Sequence, residues 1–417
     1  MSDEVLFRRV RLRLDEPSLD DVAAATDRTL ADCGVTLPRR GEVAITIGSR
    51  GIGDLTTVVA RIVAWVRAQG AVPFLVPAMG SHGGATAEGQ REVLEEYGFT
   101  DGWEGCEVRS SMEVVAVGGE HDLPVPIVTD ANAAASSATI VVNRVKQHTD
   151  FHGSFESGLM KMTAIGLGKR VQADALHAHG TRGLRELMPL VARHVLTHGN
   201  IVLGVAVVEH ALDRTMLVRA VPAADIPTVE ASLLDLARAH AARLPIDDLD
   251  VLLVDRLGKD ISGVGLDTNV IGRTMITGEP EPASPRIRMI ACHELTPASH
   301  GNATGMGLAD VISRRLADAI DHDVTRTNVV TSGFLLRGKL PVIAEDDRQA
   351  WELCLRGAGV TDPTTVRAAR ITDTLHCSDV WVTDAVWAEL EARADVELVE
   401  SCVQLHDPAG HLRPFSS

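Results

Sequence analysis

At 417 residues, with 45% apolar and 23% charged side chains, the chain is larger than one hydrophobic core usually organises, so two globular domains are expected. A formal net charge of −17 at pH 7 argues against nucleic acid or an anionic membrane surface as a partner, since both demand a positive footprint; a small ligand in a locally basic pocket stays compatible. No apolar run approaches the roughly 20 residues of a membrane span, and the six scattered cysteines, without a CxxC pair, fit a reducing cytoplasm.

VAITIG (43–48) is a short β-rich run. In DLTTVVARIVAWVRAQG, Leu55, Val58, Val59, Ile62, Val63 and Val66 fall at steps of three and four, predicting a helix with Asp54 as N-cap and Gly70 as stop. AVPFLVPAMG follows as a buried strand, so the unit is strand, helix, strand, and parallel. Apolar strands recur at ATIVVN (138–143), IVLGVAVVEH (201–210), DVLLVD (250–255) and IRMIACHEL (287–295), separated by helical patterns such as RGLRELMPLVARHVL and TVEASLLDLARAHAARL. The expectation is an α/β protein of two Rossmann-like domains with mostly parallel sheets and an interdomain cleft. PIDDLD (245–250) marks the change of domain: 1–246 bind cofactor and carry catalysis, and 247–417 close the substrate cleft, with roughly the last twenty residues packing back on the first domain. ITGEPEPASPR (276–286) reads as an exposed loop of the second domain.

Ligands of open α/β sheets sit beyond the carboxyl ends of the strands. Three strand exits carry unusual polar chemistry: GSRGIGD, GSHGGAT and NRVKQH. In the first, Ser49, Arg50 and Gly51 precede a helix N-terminus, which suits a phosphate or carboxylate; without a full phosphate-loop fingerprint, a glycine-rich turn with a solvated arginine fits equally. In the second, His82 stands between glycines, Gly83 among them, that let backbone approach a ligand, and Thr86 is placed to cap the next helix. The third opens NRVKQHTDFHGSFESGLMK (143–161), which offers Arg144, Lys146, His148, Asp150, His152, Glu156 and Lys161, with His177 and His179 beyond. Imidazoles serve proton transfer or metal binding, and a lysine among small residues can bond a cofactor covalently; taken singly, each is also what a solvated loop would carry.

In the second domain, RLGKDISGVGLDTNVIGRT (256–274) supplies Lys259, Asp260, Asn269 and Arg273, the last suited to clamp a carboxylate or, equally, to cap a loop. HGNATGMGLADVISRRL (300–316) is a glycine-rich strand exit leading into a helix, with His300, Asn302 and Thr304 as polar groups of a turn or hinge. His194 and His198 have helical spacing without the glutamate of a zinc-protease helix and read as a partly solvated helix end. Cys292–His293 and His376–Cys377 read as core and surface neighbours.

A glycine-flanked loop histidine, an NxVxxH segment after a strand, a lysine beyond a glycine- and serine-rich stretch and a histidine sixteen residues further on together resemble the nickel-pincer lactate racemase family, which comprises 2-hydroxyacid racemases and epimerases. The resemblance covers the first domain well and the second loosely. It implies that His82 and His148 are the catalytic acid–base pair and that Lys161 carries the nickel-pincer nucleotide (pyridinium-3-thioamide-5-thiocarboxylate mononucleotide nickel) covalently. It further implies that His177 ligates the nickel, that Ser49, Arg50, Gly51 and Gly83 line the cofactor, and that Arg50, Lys259, Asn269 and Arg273 are the groups available to substrate. The reaction implied moves a hydride reversibly from C2 of a small 2-hydroxy acid to the pincer carbon, on either face. Maturation enzymes are the implied partners, without which the protein is expected to be empty. No nucleic-acid or membrane partner is implied, and the oligomeric state is left open.

Three departures stand out. The family's second catalytic histidine and its lysine lie about ten residues apart, against thirteen from His148 to Lys161, so an insertion around Thr149–Gly153 is required and His152 is the alternative acid–base residue. Ile47 replaces an aspartate before the arginine loop, and the second domain lacks the family's tyrosine–glutamine pair, which points away from lactate itself. Two other readings compete: a zinc- or manganese-dependent hydrolase or lyase using His82, His148, His152, His177 or His179, which leaves Lys161 without a role, and a non-catalytic anion-binding protein.

Overall fold

The computed structural model describes residues 5–14, 16–49 and 51–415, so Arg50 lies outside the described residues. Contacts divide the chain into unit I, Glu16–Ala241, and unit II, which joins the residues before Glu16 to those from Ala242 onward.

The first strand, β1 (Leu6–Leu12), belongs to unit II. Unit I holds β2 (Glu42–Ile47), β3 (Val72–Pro77), β4 (Val114–Ala116), β5 (Val128–Asp130), β6 (Ala138–Arg144), β7 (Ile201–Glu209) and β8 (Thr215–Pro222). Its main sheet has the order β3-β2-β6-β7-β8, parallel except for β8, while β4 and β5 form a separate antiparallel ribbon. Both faces are covered, which is why its strands read as nearly continuous apolar runs. One face packs on Leu55–Ala68, whose six predicted apolar residues are all buried, each contributing on the order of 2 kcal/mol. The other packs on Met188–His198 and Ile226–Ala239. Gly70 stops Leu55–Ala68 at φ +83°, as a glycine can. Asp54 occupies the N-cap, but its carboxylate accepts from Thr215 Oγ1 at 2.6 Å and not from the helix. Because β2, β3 and β6 run parallel, their three polar exits share one edge of the sheet.

Unit II holds β9 (Asp248–Leu257), β10 (Arg286–Leu295), β11 (Val311–Ser313), β12 (Val342–Ala344), β13 (Ala368–Ile371), β14 (Asp379–Thr383) and β15 (Val396–Gln404). The sheet order is β12-β11-β10-β9-β13-β14-β1-β15, parallel from β12 to β13 and antiparallel beyond. This differs from the expected division of the chain in two ways. β1 was expected in the first domain, yet it pairs with β14 and β15; Phe7, Val10 and Leu12 enter the core while Arg9 and Arg11 meet Asp379. The end of the chain was expected on the first domain, yet β15 pairs with β1, and Leu405, Leu412 and Phe415 join unit II's core. Both placements depend on long-range pairing that no local pattern announces. The HGNATGMG segment leads first into β11, whose Ser313 then caps Arg314–Asp318. No helix among the described residues is long and apolar enough to cross a membrane.

Candidate functional site

The site grows out of the end of β6. Asn143 Nδ2 donates to Gly158 O at 2.9 Å, and Lys146 and Ser157 exchange backbone bonds at 2.9 and 3.2 Å, closing the intervening residues into a loop. The fully buried Glu156 organises that loop. Its Oε2 accepts from His148 N at 2.6 Å, and its Oε1 accepts from Gly153 N at 3.2 Å and Arg238 Nη2 at 2.7 Å, with His152 Nδ1 3.2 Å away. Burial alone would raise its pKa; the bonds from His152, the His148 amide and Arg238 outweigh it and hold the carboxyl below its ordinary value.

After Gly158 the chain turns helical over Leu159–Lys161, widens into a π-helical turn at Met162–Gly166 and continues as Lys169–His177. Such wide turns recur at functional sites. Lys161 Nζ lies 2.6 Å from His148 Nε2. The other ring nitrogen, Nδ1, accepts from Asp150 N at 3.0 Å, and the ring stacks on Phe151 at 4.6 Å between centroids. His177, in the last turn of Lys169–His177, is exposed as a residue, yet protein atoms crowd its imidazole; that crowding first, and a charged Lys161 second, lower its pKa against the pull of Asp150 and Asp174. A histidine so shifted is neutral at pH 7, which is the form that ligates metals. His179, two residues on, is exposed at the start of the next turn.

The His82 loop is held from below. His82 is exposed, with its amide on Met79 O at 3.0 Å. The buried Gln90 donates to Gly80 O at 3.0 Å and His82 O at 3.2 Å and accepts from Lys169 Nζ at 3.2 Å. Lys169, fully buried at φ +53°, also donates to Pro77 O and lies 3.1 Å from Asp130 Oδ2, close enough for charge pairing though not aligned as a hydrogen bond. Burial lowers the pKa of Lys169, opposed by Asp130. Thr86 caps Ala87–Glu96 as expected, accepting from Gly89 N at 3.0 Å. Gly83, expected beside a cofactor, sits at φ +64° where a Cβ would come within 2.7 Å of the Gly89–Gln90 backbone, so helix packing already demands glycine there.

In the GSRGIGD loop, Ser49 O accepts from Tyr97 Oη at 2.8 Å and Gly51 is exposed and open. The amide of Gly53, beside the helix N-terminus, is taken by Glu209 Oε1 at 2.6 Å, and Glu209 in turn pairs with Arg144. An internal carboxylate therefore uses one donor of the expected anion site.

In unit II, Lys259 Nζ donates to Gly263 O at 2.5 Å and Asn328 Oδ1 at 2.9 Å, and Asn269 is turned onto Asp267 at the start of a short helix. Of the two readings of Arg273, carboxylate clamp or loop cap, its contacts match the second. Its two terminal nitrogens bond Leu308 O, Asp310, Ile287 O and Arg288 O, so its fork is spent on tying the loop to β10.

The structure thus brings His148, Asp150, Lys161 and His177 together, and draws His152 to Glu156. Sequence reasoning missed Glu230, Lys169 and the hub role of Glu156. Glu230 is 1% exposed and accepts from Met160 N at 2.9 Å; burial pushes its pKa up to about 7, against the amides of Met160 and Leu159. A signal existed: Glu230 shares the buried stripe of its helix with Ile226, Leu233, Leu234 and Ala237, where an acid is out of place. His194 and His198 stack beside His121, with His194 Nε2 on Gly118 O at 2.7 Å. Among the described residues, no three His, Cys, Asp or Glu side chains are arranged to hold a metal ion.

These features define a mixed α/β protein with mostly parallel sheets and a lysine–histidine centre at strand exits. No protein-family model and no curated protein matches the sequence. Among solved structures, the lactate racemase apoprotein of Thermoanaerobacterium thermosaccharolyticum is similar over 89% of this chain and 99% of its own, with a TM-score of 0.50 at 10% identity. A protein of Thermotoga maritima is similar over 67% of this chain and 72% of its own, with a TM-score of 0.46 at 12% identity, too low to carry an argument. The first likeness shows a lactate-racemase-like fold and, at that identity, the fold alone.

Proposed function

We propose that the protein is an isomerase that racemises or epimerises a small 2-hydroxy acid, with a nickel-pincer nucleotide attached to Lys161. The contact between Lys161 Nζ and His148 Nε2, beside a neutral His177, carries this reading. Asp150 N–H donates into Nδ1, which holds the His148 ring with Nε2 turned to the lysine nitrogen. A lysine nitrogen can make a covalent bond to a cofactor. The donor set therefore fits the group: Lys161 to hold it and His177 to ligate its nickel.

When bound, such a cofactor takes up and returns a hydride, chemistry no side chain here supplies. This chain's task is the proton. Once Lys161 is committed to an attached group, His148 keeps an oriented imidazole, fixed by Asp150 N, by Phe151 and by the Glu156 bond to its own amide. His82, carried on a separate and firmly pinned loop, serves the opposite face, since two enantiomers present their hydroxyls on opposite sides. His152 is the weaker candidate because Glu156 claims its ring. Arg50 is the group proposed to meet the substrate; Lys259, Asn269 and Arg273 are each engaged within unit II.

Co-expression with pincer-maturation enzymes tests this directly. Intact mass is expected to rise by on the order of several hundred daltons, with nickel present, and the increase to vanish in Lys161→Ala. His82→Ala and His148→Ala are each expected to keep the added mass but lose at least about 100-fold in racemisation, while His152→Ala stays active. An unmodified protein that carries zinc refutes the proposal.

A further inference from the structure

The helix Ile226–Ala239 reaches the two segments that carry the lysine–histidine pair, and the mechanism above uses neither of the side chains that do so. Arg238 bonds Glu156 Oε1 at 2.7 Å and Gly153 O at 2.9 Å, which fixes the loop of His148. Eight residues earlier on the same helix, Glu230 accepts from the amide of Met160, the residue before Lys161. Its other oxygen, Oε1, is buried and has no hydrogen-bond partner among the described residues. That oxygen lies so close to Gly158 that a Cβ there would come within 2.5 Å of it, so only glycine lets the carboxyl reach the turn. An apolar residue on this stripe would pack without an unsatisfied oxygen, so burying a carboxyl there stabilises the fold less than the obvious alternative would. Its contact with the Gly158–Lys161 turn is what distinguishes it from such a residue.

We propose that Glu230 is a positioning residue for Lys161: its carboxyl anchors the turn from which the lysine rises, while Arg238 on the same helix anchors the loop of His148, so that one helix sets the lysine–histidine distance. The inference rests on the reading of Lys161 as the cofactor's attachment point, but the arrangement itself exists before any cofactor is bound.

The test is the rate at which Lys161 of the unloaded full-length protein is acylated by a small N-hydroxysuccinimide ester. Peptide mass spectrometry reads it, with Lys339 of the same molecule as internal reference. Glu230→Leu, which suits the apolar stripe, is expected to fold and to lower the relative rate at Lys161 about tenfold, because the amine leaves its imidazole partner. Glu230→Gln keeps an acceptor for Met160 N and is expected to stay within about twofold of the parent, a rescue that mere filling of space would not give. Arg238→Met provides a second route, with a similar loss through the His148 loop. Wild-type acylation in Glu230→Leu, or a Glu230→Gln protein as slow as Glu230→Leu, overturns the proposal. Acylation that follows the expected order in a protein that never gains the cofactor mass leaves the positioning intact and removes the cofactor reading instead.

Discussion

Units I and II both end parallel strands in charged and imidazole groups, but they spend those groups differently. In unit II they cancel internally. Arg370 meets Asp255 through two bonds of 2.8 Å, Arg273 meets Asp310 at 2.8 Å, and the buried Asp347 takes His293 at 2.8 Å, Arg315 at 2.9 Å and the Leu412 amide at 2.9 Å. In unit I the buried polar groups act as struts for other residues: Glu156 for His148, Lys169 and Gln90 for the His82 loop, Glu230 for the turn of Lys161. A buried charge is therefore weak evidence of function until one asks whether its bonds end on another core group or on a segment that presents a reactive side chain.

The largest expected effect separates the two units by stability. Asp347→Ala leaves Arg315 and the Leu412 amide without their acceptor and should destabilise unit II by about 3–5 kcal/mol, read as an early transition in urea that leaves unit I folded. One coincident transition for both units would break the comparison. Acid should act in the same direction. Burial pushes the Asp347 pKa up, but His293, Arg315 and the Leu412 amide overcome it and hold the carboxyl well below its ordinary value. Its contribution is thus fully present above the unfolded pKa near ~4 and is lost as pH falls from there through the folded value, so unit II should lose stability below about pH 4 and Asp347→Asn should flatten that slope.

A smaller effect is expected in unit I. Glu156→Gln keeps the shape of the hub but weakens its bonds to Arg238 and to the amides of His148 and Gly153. We expect a loss of about 1–3 kcal/mol concentrated in the loop, seen as faster hydrogen exchange at His148 and Gly153 while the strands β6 and β7 stay protected. If exchange rises equally in the strands, Glu156 is a core residue of the same kind as Asp347, and the contrast between the units fails.

The sequence makes the local half of this structure legible and leaves the long-range half hidden. The helix Leu55–Ala68 and the strands β2, β3, β6, β7, β9 and β10 follow from hydrophobic periods within single segments. His148 and Lys161 stand out by residue type and spacing, and the structure brings them within 2.6 Å. The placing of β1 depends on β14 and β15, hundreds of residues away, and the antiparallel return of β8 has no marker of direction. Lys169 in GLGKR passes unmarked because neither its positive φ nor its carboxylate partner Asp130, in a different segment, leaves a trace nearby. Arg273 is ambiguous for the converse reason, since a guanidinium fork fits a run of backbone carbonyls as well as a substrate carboxylate.

The smallest effect is a set of thiol rates that reports both units, first in the unsubstituted protein and then in Asp347→Ala. In unit II, Cys292, Cys354 and Cys377 are buried and burial raises each thiol pKa, to about 12 for Cys354, so none is nucleophilic at neutral pH. Cys402, exposed on β15, should react with a neutral disulfide reagent within minutes, ahead of the half-buried Cys33. Cys106 in unit I is buried, and burial raises its pKa despite Arg67 nearby. In Asp347→Ala the order among the buried thiols should change, with Cys292 and Cys354 becoming labelled while Cys106 stays protected. Their positions explain why: Cys292 precedes His293 on β10 and Cys354 lies on the Asp347 helix, so both open with the network that Asp347 neutralises. Labelling of Cys106 at the same rate would mean that the two units unfold as one, and that the charges of unit II also stabilise the fold around Lys161.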